Sequence, residues 1–234
     1  MRSASIVFVA AFAVLSSALA TGASFDEGER LFRNNEPSEA APLLEKAILD
    51  PGADERAWLY LGLCYQQLGR LDEASAVLRK GLSQASRFKA LFYFDLGNIF
   101  TLQAKNSFAI EMYGQAIGAD GSLAAAYLNR ANARLATKDY KGAKEDYLQY
   151  LSLEPTSAQS AAIGELIKRL DEGLAESERL AAEAEAKKQA EVAAHQAFID
   201  SMSASLKAAA DDTTNLSAGA GNVQGYGDDL KVDE

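Results

Sequence analysis

The chain has 234 residues, of which 23 are Lys or Arg and 33 are Asp or Glu, so its formal net charge is −10 at pH 7. This balance argues against nucleic-acid binding, because affinity for a phosphate backbone comes mainly from clustered Lys and Arg. A single Cys, Cys64, and a single His, His195, provide no internal disulfide and no dense set of zinc ligands. We therefore expect no cofactor, no metal ion and no nucleic-acid partner.

Residues 1–20 have the pattern of a secretory signal peptide. Arg2 precedes an apolar run from Ile6 to Leu15, and Ala18-Leu19-Ala20 offers an Ala-x-Ala cleavage site. The apolar run is shorter than the roughly 20 residues that span a bilayer, which disfavours the alternative of an uncleaved membrane anchor. We expect a mature chain that starts near Thr21, has no membrane span and is exported. The lack of a disulfide framework favours a periplasmic over a secreted, extracellular location.

The strongest internal pattern is a repeat with a period of 34 or 35 residues. In its second copy, Trp58, Leu61 and Tyr65 form one stripe of a helix, and Ala74 and Leu78 form one stripe of the next. Each copy is therefore predicted to be a pair of amphipathic helices, with small residues where the two helices approach closely. Three registers agree across four copies: Gly28, Gly62, Gly97 and Ala131; Ala40, Ala74, Ala109 and Ala143; Leu44, Leu78, Tyr113 and Tyr147.

This pattern resembles the tetratricopeptide repeat, whose signature has Trp, Leu, Gly and Tyr in the first helix and Ala in the second. The resemblance covers about residues 22–155, the greater part of the mature chain. It implies an all-α, right-handed α-solenoid of about four helix-turn-helix repeats. The predicted repeat domain spans residues 21–155, with copies at about 21–54, 55–89, 90–123 and 124–157.

Two copies depart from the pattern. The first has Ser24 in place of the Trp and Glu27 in place of the Leu, as a capping repeat with a polar outer face would have. The fourth has Arg130 and Arg134 in place of apolar residues. The sequence alone leaves open how the first helix of the fourth copy packs.

The periodicity changes after Pro155. Residues 156–174 are predicted to form a capping helix over the open end of the last repeat, with one apolar face made by Ile163, Ile167, Leu170 and Leu174. Residues 175–209 are predicted to continue as a long, charged, amphipathic helix that is apolar at Phe198, Ile199, Met202 and Leu206. A weak coiled coil is the alternative, although apolar heptads are not sustained through its middle. Residues 210–234 are predicted to be a disordered acidic tail.

A stack of such helix pairs curves, and the first helices line its concave groove. An apolar lining with amide groups suits an amphipathic helix or an extended peptide of a partner protein. In one alternative, part of this lining belongs to the core between repeats; in another, the stretch from Phe198 to Leu206 folds into the groove of its own or a second chain. The predicted groove residues are Phe25, Glu29, Leu59, Leu63, Gln66, Phe94, Asn98, Thr101, Leu128, Asn129 and Asn132.

Co-chaperone members of the family that the sequence resembles hold a C-terminal carboxylate with a clamp of Lys, Asn and Arg. Asn98 and Asn129 fall on two clamp places, but Phe94 stands where the first Lys would be. Gln159 and Ile163 stand where the last Lys and Arg would be. A buried carboxylate would lack charge-assisted partners there, so a receptor for chaperone tails is not expected.

The sequence thus favours a non-catalytic, exported scaffold or adaptor within an envelope-associated or secreted assembly. No motif places a nucleophile beside a base, so we expect no enzyme. Cys64 is predicted to be a small buried apolar group, and His195 a solvated imidazole. The alternative function is a structural protein that self-associates through its long C-terminal helix.

Overall fold

The structure is a computed structural model that describes the backbone of residues 23–219 and the side chains of residues 23–211. The predicted signal peptide and the last part of the predicted tail, residues 220–234, lie outside the described residues. The chain divides after Leu174 into two units. Within residues 23–219, no helix combines the length and the apolar character that crossing a membrane requires.

The first unit consists of helix pairs followed by the start of a longer helix. Each helix packs mainly against its neighbours along the chain, as in a solenoid. The described helices are α1 (23–33), α2 (Pro37–Ala47), α3 (Glu55–Gln67), α4 (Leu71–Leu82), α5 (Lys89–Leu102), α6 (Asn106–Ala119), α7 (Ala124–Ala136), α8 (Tyr140–Leu153) and α9 (Ser160–Gly219). The predicted all-α solenoid is confirmed.

The small residues of the repeat lie where the two helices of a pair meet. A Cβ atom added to Gly62 would lie 2.5 Å from Leu78 Cδ2, and one added to Gly97 would lie 2.5 Å from Tyr113 Cε1. Each glycine thus lets the large residue of the following helix lie directly on the backbone. A larger residue at either position would push the pair apart, as the sequence pattern predicts.

The turn between the two helices of a pair is the same in all four copies. Arg70 N donates to Tyr65 O at 2.8 Å, and Lys105 N donates to Phe100 O at 2.8 Å, which is the hydrogen bond of a Schellman turn. One residue in each turn is left-handed, with φ of 62°, 74°, 56° and 64° at Asn35, Gly69, Ala104 and Lys138. Glycine is favoured at such a φ, yet it stands in one turn of the four.

A buried ionic cluster explains how the fourth copy packs. Arg130 donates to Asp146 Oδ2 from Nε at 2.8 Å and to Oδ1 from Nη2 at 2.6 Å, and Arg134 Nη1 donates to Asp146 Oδ2 at 2.8 Å. The Asp146 side chain is 4% exposed, and those of Arg130 and Arg134 are 18% and 21% exposed. The three charges take the places that the third copy fills with Leu96, Phe100 and Met112.

The connection between the second and third copies, residues 83–88, contains neither Pro nor Gly. The carboxylate of Glu55 on α3 shapes it instead. Glu55 Oε1 accepts from Ser86 N at 3.0 Å and from Ser86 Oγ at 2.7 Å, and Oε2 accepts from Phe88 N at 3.2 Å. These bonds, the Ser86 hydroxyl first, lower the pKa of Glu55. Glu55 therefore satisfies the free N–H groups that precede α5.

The first part of α9 covers the end of the last repeat. Ile163 and Ile167 are buried in one apolar cluster with Tyr147 and Tyr150. This contact is the capping arrangement that the sequence predicts. It removes from water the apolar face that α7 and α8 would otherwise leave open.

The second unit, residues 175–219, is the remainder of α9. Arg179 pairs with Glu176 at 2.7 Å and with Glu183 at 2.6 Å, contacts that support an exposed helix. The helix continues to Gly219, so the prediction of disorder from residue 210 was wrong over its first part. No Gly or Pro occurs between residues 210 and 218 to stop the helix.

Candidate functional site

Five of the predicted groove residues line one pocket in the first unit. Its volume is about 210 Å³, and it lies where α3, α5, α6 and α7 meet. Two further lining residues were not among the predicted ones, and both come from the third copy. The lining consists of Gln66, Asn98, Thr101, Asn129 and Asn132, which were predicted, together with Leu102 and Tyr113.

Hydrogen bonds fix the amide groups of this pocket. Asn98 Oδ1 accepts from Tyr113 OH at 2.9 Å and from Asn129 Nδ2 at 2.8 Å. Tyr113 OH also lies 3.0 Å from Thr101 Oγ1. On the α7 side, Asn132 Oδ1 accepts from Tyr147 OH at 2.6 Å. Tyrosines of the second helices thus hold the asparagines of the first helices in place, which gives the pocket a defined polar wall.

A buried carboxylate adjoins this wall. Asp95 on α5 is 8% exposed, and burial raises its pKa to about 7, although a hydrogen bond with Asn98 opposes the rise. Burial also raises the pKa of Tyr113, and the charge of Asp95 adds to this effect. Within residues 23–211, no Lys or Arg forms an ion pair with Asp95. Asp95 was not among the predicted groove residues.

The predicted groove residues of the first two copies are mostly engaged in packing. Phe25 and Leu59 are 8% and 5% exposed and belong to the main apolar core. Glu29 accepts from Arg33 Nη2 at 2.6 Å and lies 3.6 Å from Arg56 Nη1. Arg56 in turn lies over the ring of Phe25, 4.9 Å from its centroid. These contacts consolidate the N-terminal end of the stack.

The remaining three predicted groove residues are half-buried. Leu63 lies on α3, Phe94 packs against the Tyr113 ring at a centroid distance of 5.9 Å, and Leu128 packs against the cluster around Tyr147. Each contributes both to the packing between helices and to the exposed surface. The pocket lined by amides is therefore the part of the predicted groove that is most open to a ligand.

Two further titratable residues were singled out from the sequence, Cys64 and His195. No group of three or more His, Cys, Asp or Glu side chains is placed to hold a metal ion within residues 23–211. Cys64 is fully buried, as predicted, and burial raises the pKa of its thiol to about 11. His195 is exposed on α9.

Two models of one repeat family match the sequence. Both carry the description "Tetratricopeptide repeat", and they match residues 31–91 and 124–157. The chain thus contains tetratricopeptide repeats in these two segments. No curated protein matches the sequence.

Solved structures with the same fold include MamA and PilF. A crystal structure of MamA has 20% identity and a TM-score of 0.57 over 65% of this chain and 82% of its own. MamA from Desulfovibrio magneticus RS-1 has 16% identity and a TM-score of 0.54 over 66% and 96%. Pseudomonas aeruginosa pilF has 17% identity and a TM-score of 0.59 over 65% and 69%. At these identities the likeness concerns the fold.

Proposed function

We propose that this chain is a non-catalytic scaffold or adaptor that binds a peptide or an amphipathic helix of a partner protein in its repeat groove. In this proposal the protein is exported by its N-terminal signal and works in an envelope-associated or secreted assembly, most simply in a bacterial periplasm. The observation that carries the proposal is the pocket of about 210 Å³ between the first helices of successive copies. A peptide laid along these helices would contact three copies at once.

The chemistry of the pocket supports recognition of a polypeptide. Asn and Gln side chains both donate and accept hydrogen bonds, so they can pair with the backbone of a bound segment. Leu102 is 58% exposed at the rim and offers an apolar contact beside them. An apolar contact with a few oriented polar groups is the usual composition of a peptide-binding surface.

We expect Leu102→Lys to remove bound partners while leaving the fold intact. The substitution places a charge in an apolar contact, and a cation at the C-terminal end of α5 suits the helix dipole. Residues 21–234 and the variant serve as baits in the exported fraction of the source cells, with captured proteins compared by quantitative mass spectrometry. We expect partners of the parent to fall at least about tenfold in the variant.

Leu148→Lys is the matched control. Leu148 is 47% exposed on α8, a second helix that does not line the pocket. This variant should retain the partners of the parent, and circular dichroism should show equal helicity in all three proteins. If Leu102→Lys captures the same partners as the parent at the same level, the groove is not the binding surface.

A second candidate function, self-association through α9, rests on one specific observation in the second unit. Apolar side chains lie there at alternating spacings of three and four, the spacing of a coiled-coil seam. None of them has a partner side chain that buries it. Val192, Ile199, Met202 and Leu206 are 64%, 44%, 50% and 67% exposed, and His195 occupies the remaining place of the seam.

Sedimentation equilibrium of residues 21–234 tests this second candidate. If the seam pairs two chains, the parent is a dimer at micromolar concentration and Ile199→Asp makes it a monomer, because the charge enters the buried seam. Ala204→Asp, on the opposite side of the same helix, leaves the dimer unchanged. A monomeric parent over this concentration range would exclude pairing through α9.

A further inference from the structure

The pocket in the groove has one lining oxygen that lacks a donor, and a buried carboxylate lies beside its wall. Gln66 Oε1 is buried and has no hydrogen-bond partner. The carboxylate of Asp95 has Asn98 as its hydrogen-bond partner and no ion pair with a Lys or Arg of residues 23–211. A buried acceptor without a donor is costly, because folding removes it from bulk water.

Three donors around the pocket already serve its own amide oxygens. Asn129 Nδ2 and Tyr113 OH both donate to Asn98 Oδ1, and Tyr147 OH donates to Asn132 Oδ1. Gln66 Oε1 therefore remains a lining acceptor without a donor, and the Asp95 carboxylate lies behind Asn98. Such a wall favours a ligand that brings donors and positive charge.

We propose that this pocket receives the cationic head of an Arg or Lys side chain carried by the bound segment. The proposal rests on the proposed groove function and specifies the chemistry of the partner. A guanidinium or an ammonium donates to the pocket oxygens and offsets the charge of Asp95. The methylene stem of the same side chain packs on Leu102 at the rim.

The size of the pocket and the net charge of the protein both agree with a cationic ligand. A volume of about 210 Å³ accommodates one long side chain and excludes a folded element. The net charge of −10 attracts basic segments at a distance. A neutral amide fills the same space but leaves the Asp95 carboxylate uncompensated.

Methylguanidinium and its neutral counterpart methylurea are the probes for this pocket. Residues 21–234 are titrated with each, and the side-chain amide signals of Gln66, Asn98 and Asn129 are followed by NMR. We expect saturable shifts with methylguanidinium and an affinity at least about tenfold lower for methylurea, because only the cation makes charge-assisted hydrogen bonds.

Three variants distinguish the effect of the Asp95 carboxylate on binding from the effect of the net negative charge of the chain. Asp95→Asn should weaken methylguanidinium binding at least about tenfold, whereas Asp26→Asn should not change it. Asp26 holds the place of Asp95 in the first copy and is exposed. Gln66→Met, which keeps Asp95 and removes the unpaired acceptor, should weaken the binding as well.

The outcomes distinguish this inference from the proposed function. Equal binding of methylguanidinium by the parent and Asp95→Asn, or equal affinities for the two probes, overturns the cation pocket. If Leu102→Lys still removes captured partners in that case, the groove binds a neutral segment and the adaptor function stands. The opposite result is also informative. If Asp95→Asn loses methylguanidinium binding but Leu102→Lys captures the same partners as the parent, the cation pocket stands and the adaptor function is rejected.

Discussion

Replacement of Asp146 by alanine is expected to lower the free energy of unfolding by about 3–5 kcal/mol. The carboxylate of Asp146 is 4% exposed and binds both Arg130 and Arg134. Without it, Arg130 loses its counter-charge and Arg134 keeps only Asp139, at 3.4 Å, and neither mostly buried guanidinium group can regain full hydration. Chemical denaturation followed by circular dichroism measures the change. A loss below about 1 kcal/mol, the range of an exposed ion pair, would contradict this account of the cluster.

Removing all three charges at once should have a different result. The triple variant Arg130→Leu, Arg134→Phe and Asp146→Met carries the residues of the third copy in the fourth. Replacing a buried ionic cluster by apolar residues of similar volume is often neutral or stabilising. We expect the triple variant to be at least as stable as the parent. A triple variant as unstable as Asp146→Ala would mean that the space around the cluster does not fit apolar side chains.

Replacement of Asp95 by asparagine is expected to stabilise the protein above pH 7 and to have little effect below pH 4. Burial raises the pKa of Asp95 to about 7 in the folded protein, from an ordinary value of 3.8. The folded state therefore holds the proton more tightly than the unfolded state. The stability that this proton provides is complete below pH 4 and is lost as the pH rises through 7. Asparagine resembles the protonated form, so its advantage at pH 8 is on the order of 4 kcal/mol.

Denaturation curves of the parent and the variant at pH 4, 6 and 8 measure this difference. Asp26→Asn is the matched control, because Asp26 holds the same place in the first copy and is exposed. Its difference from the parent should be the same at all three pH values. If the stability difference between Asp95→Asn and the parent does not grow between pH 4 and pH 8, Asp95 is not desolvated in solution. A carboxylate kept at such a cost fits a role in binding.

The helix pairs could be predicted from sequence because their contacts are local. Gly62 and Leu78 lie on consecutive helices, so their spacing in sequence already reports the close approach that leaves no room for a Cβ atom at Gly62. The left-handed turns were harder to predict, since Ala104 and Lys138 adopt a conformation that sequence patterns assign to Gly. There the packing of the two flanking helices outweighs the preference of the residue.

The pocket could be predicted only in part, because periodicity gives the face of a residue and not the reach of its side chain. Asn98 and Asn129 were assigned to the groove from their helical face, and both line the pocket. Tyr113 was assigned to the contact between paired helices, which it makes, but its hydroxyl extends beyond this contact to Asn98. Asp95 is 8% exposed, a degree of burial that its charged residue type does not lead one to expect from sequence.

The carboxylate of Glu55 also bears on how the stack comes apart. In repeat proteins, stability is the sum of what each repeat contributes and what each junction contributes. Glu55 belongs to the second copy but holds the backbone that leads into the third. Opening either copy breaks these bonds, so the two copies are expected to melt as one cooperative block. The stack would then lose its outer repeats before its centre, and the pocket bordered by α3 and α5 would be among the last parts to open.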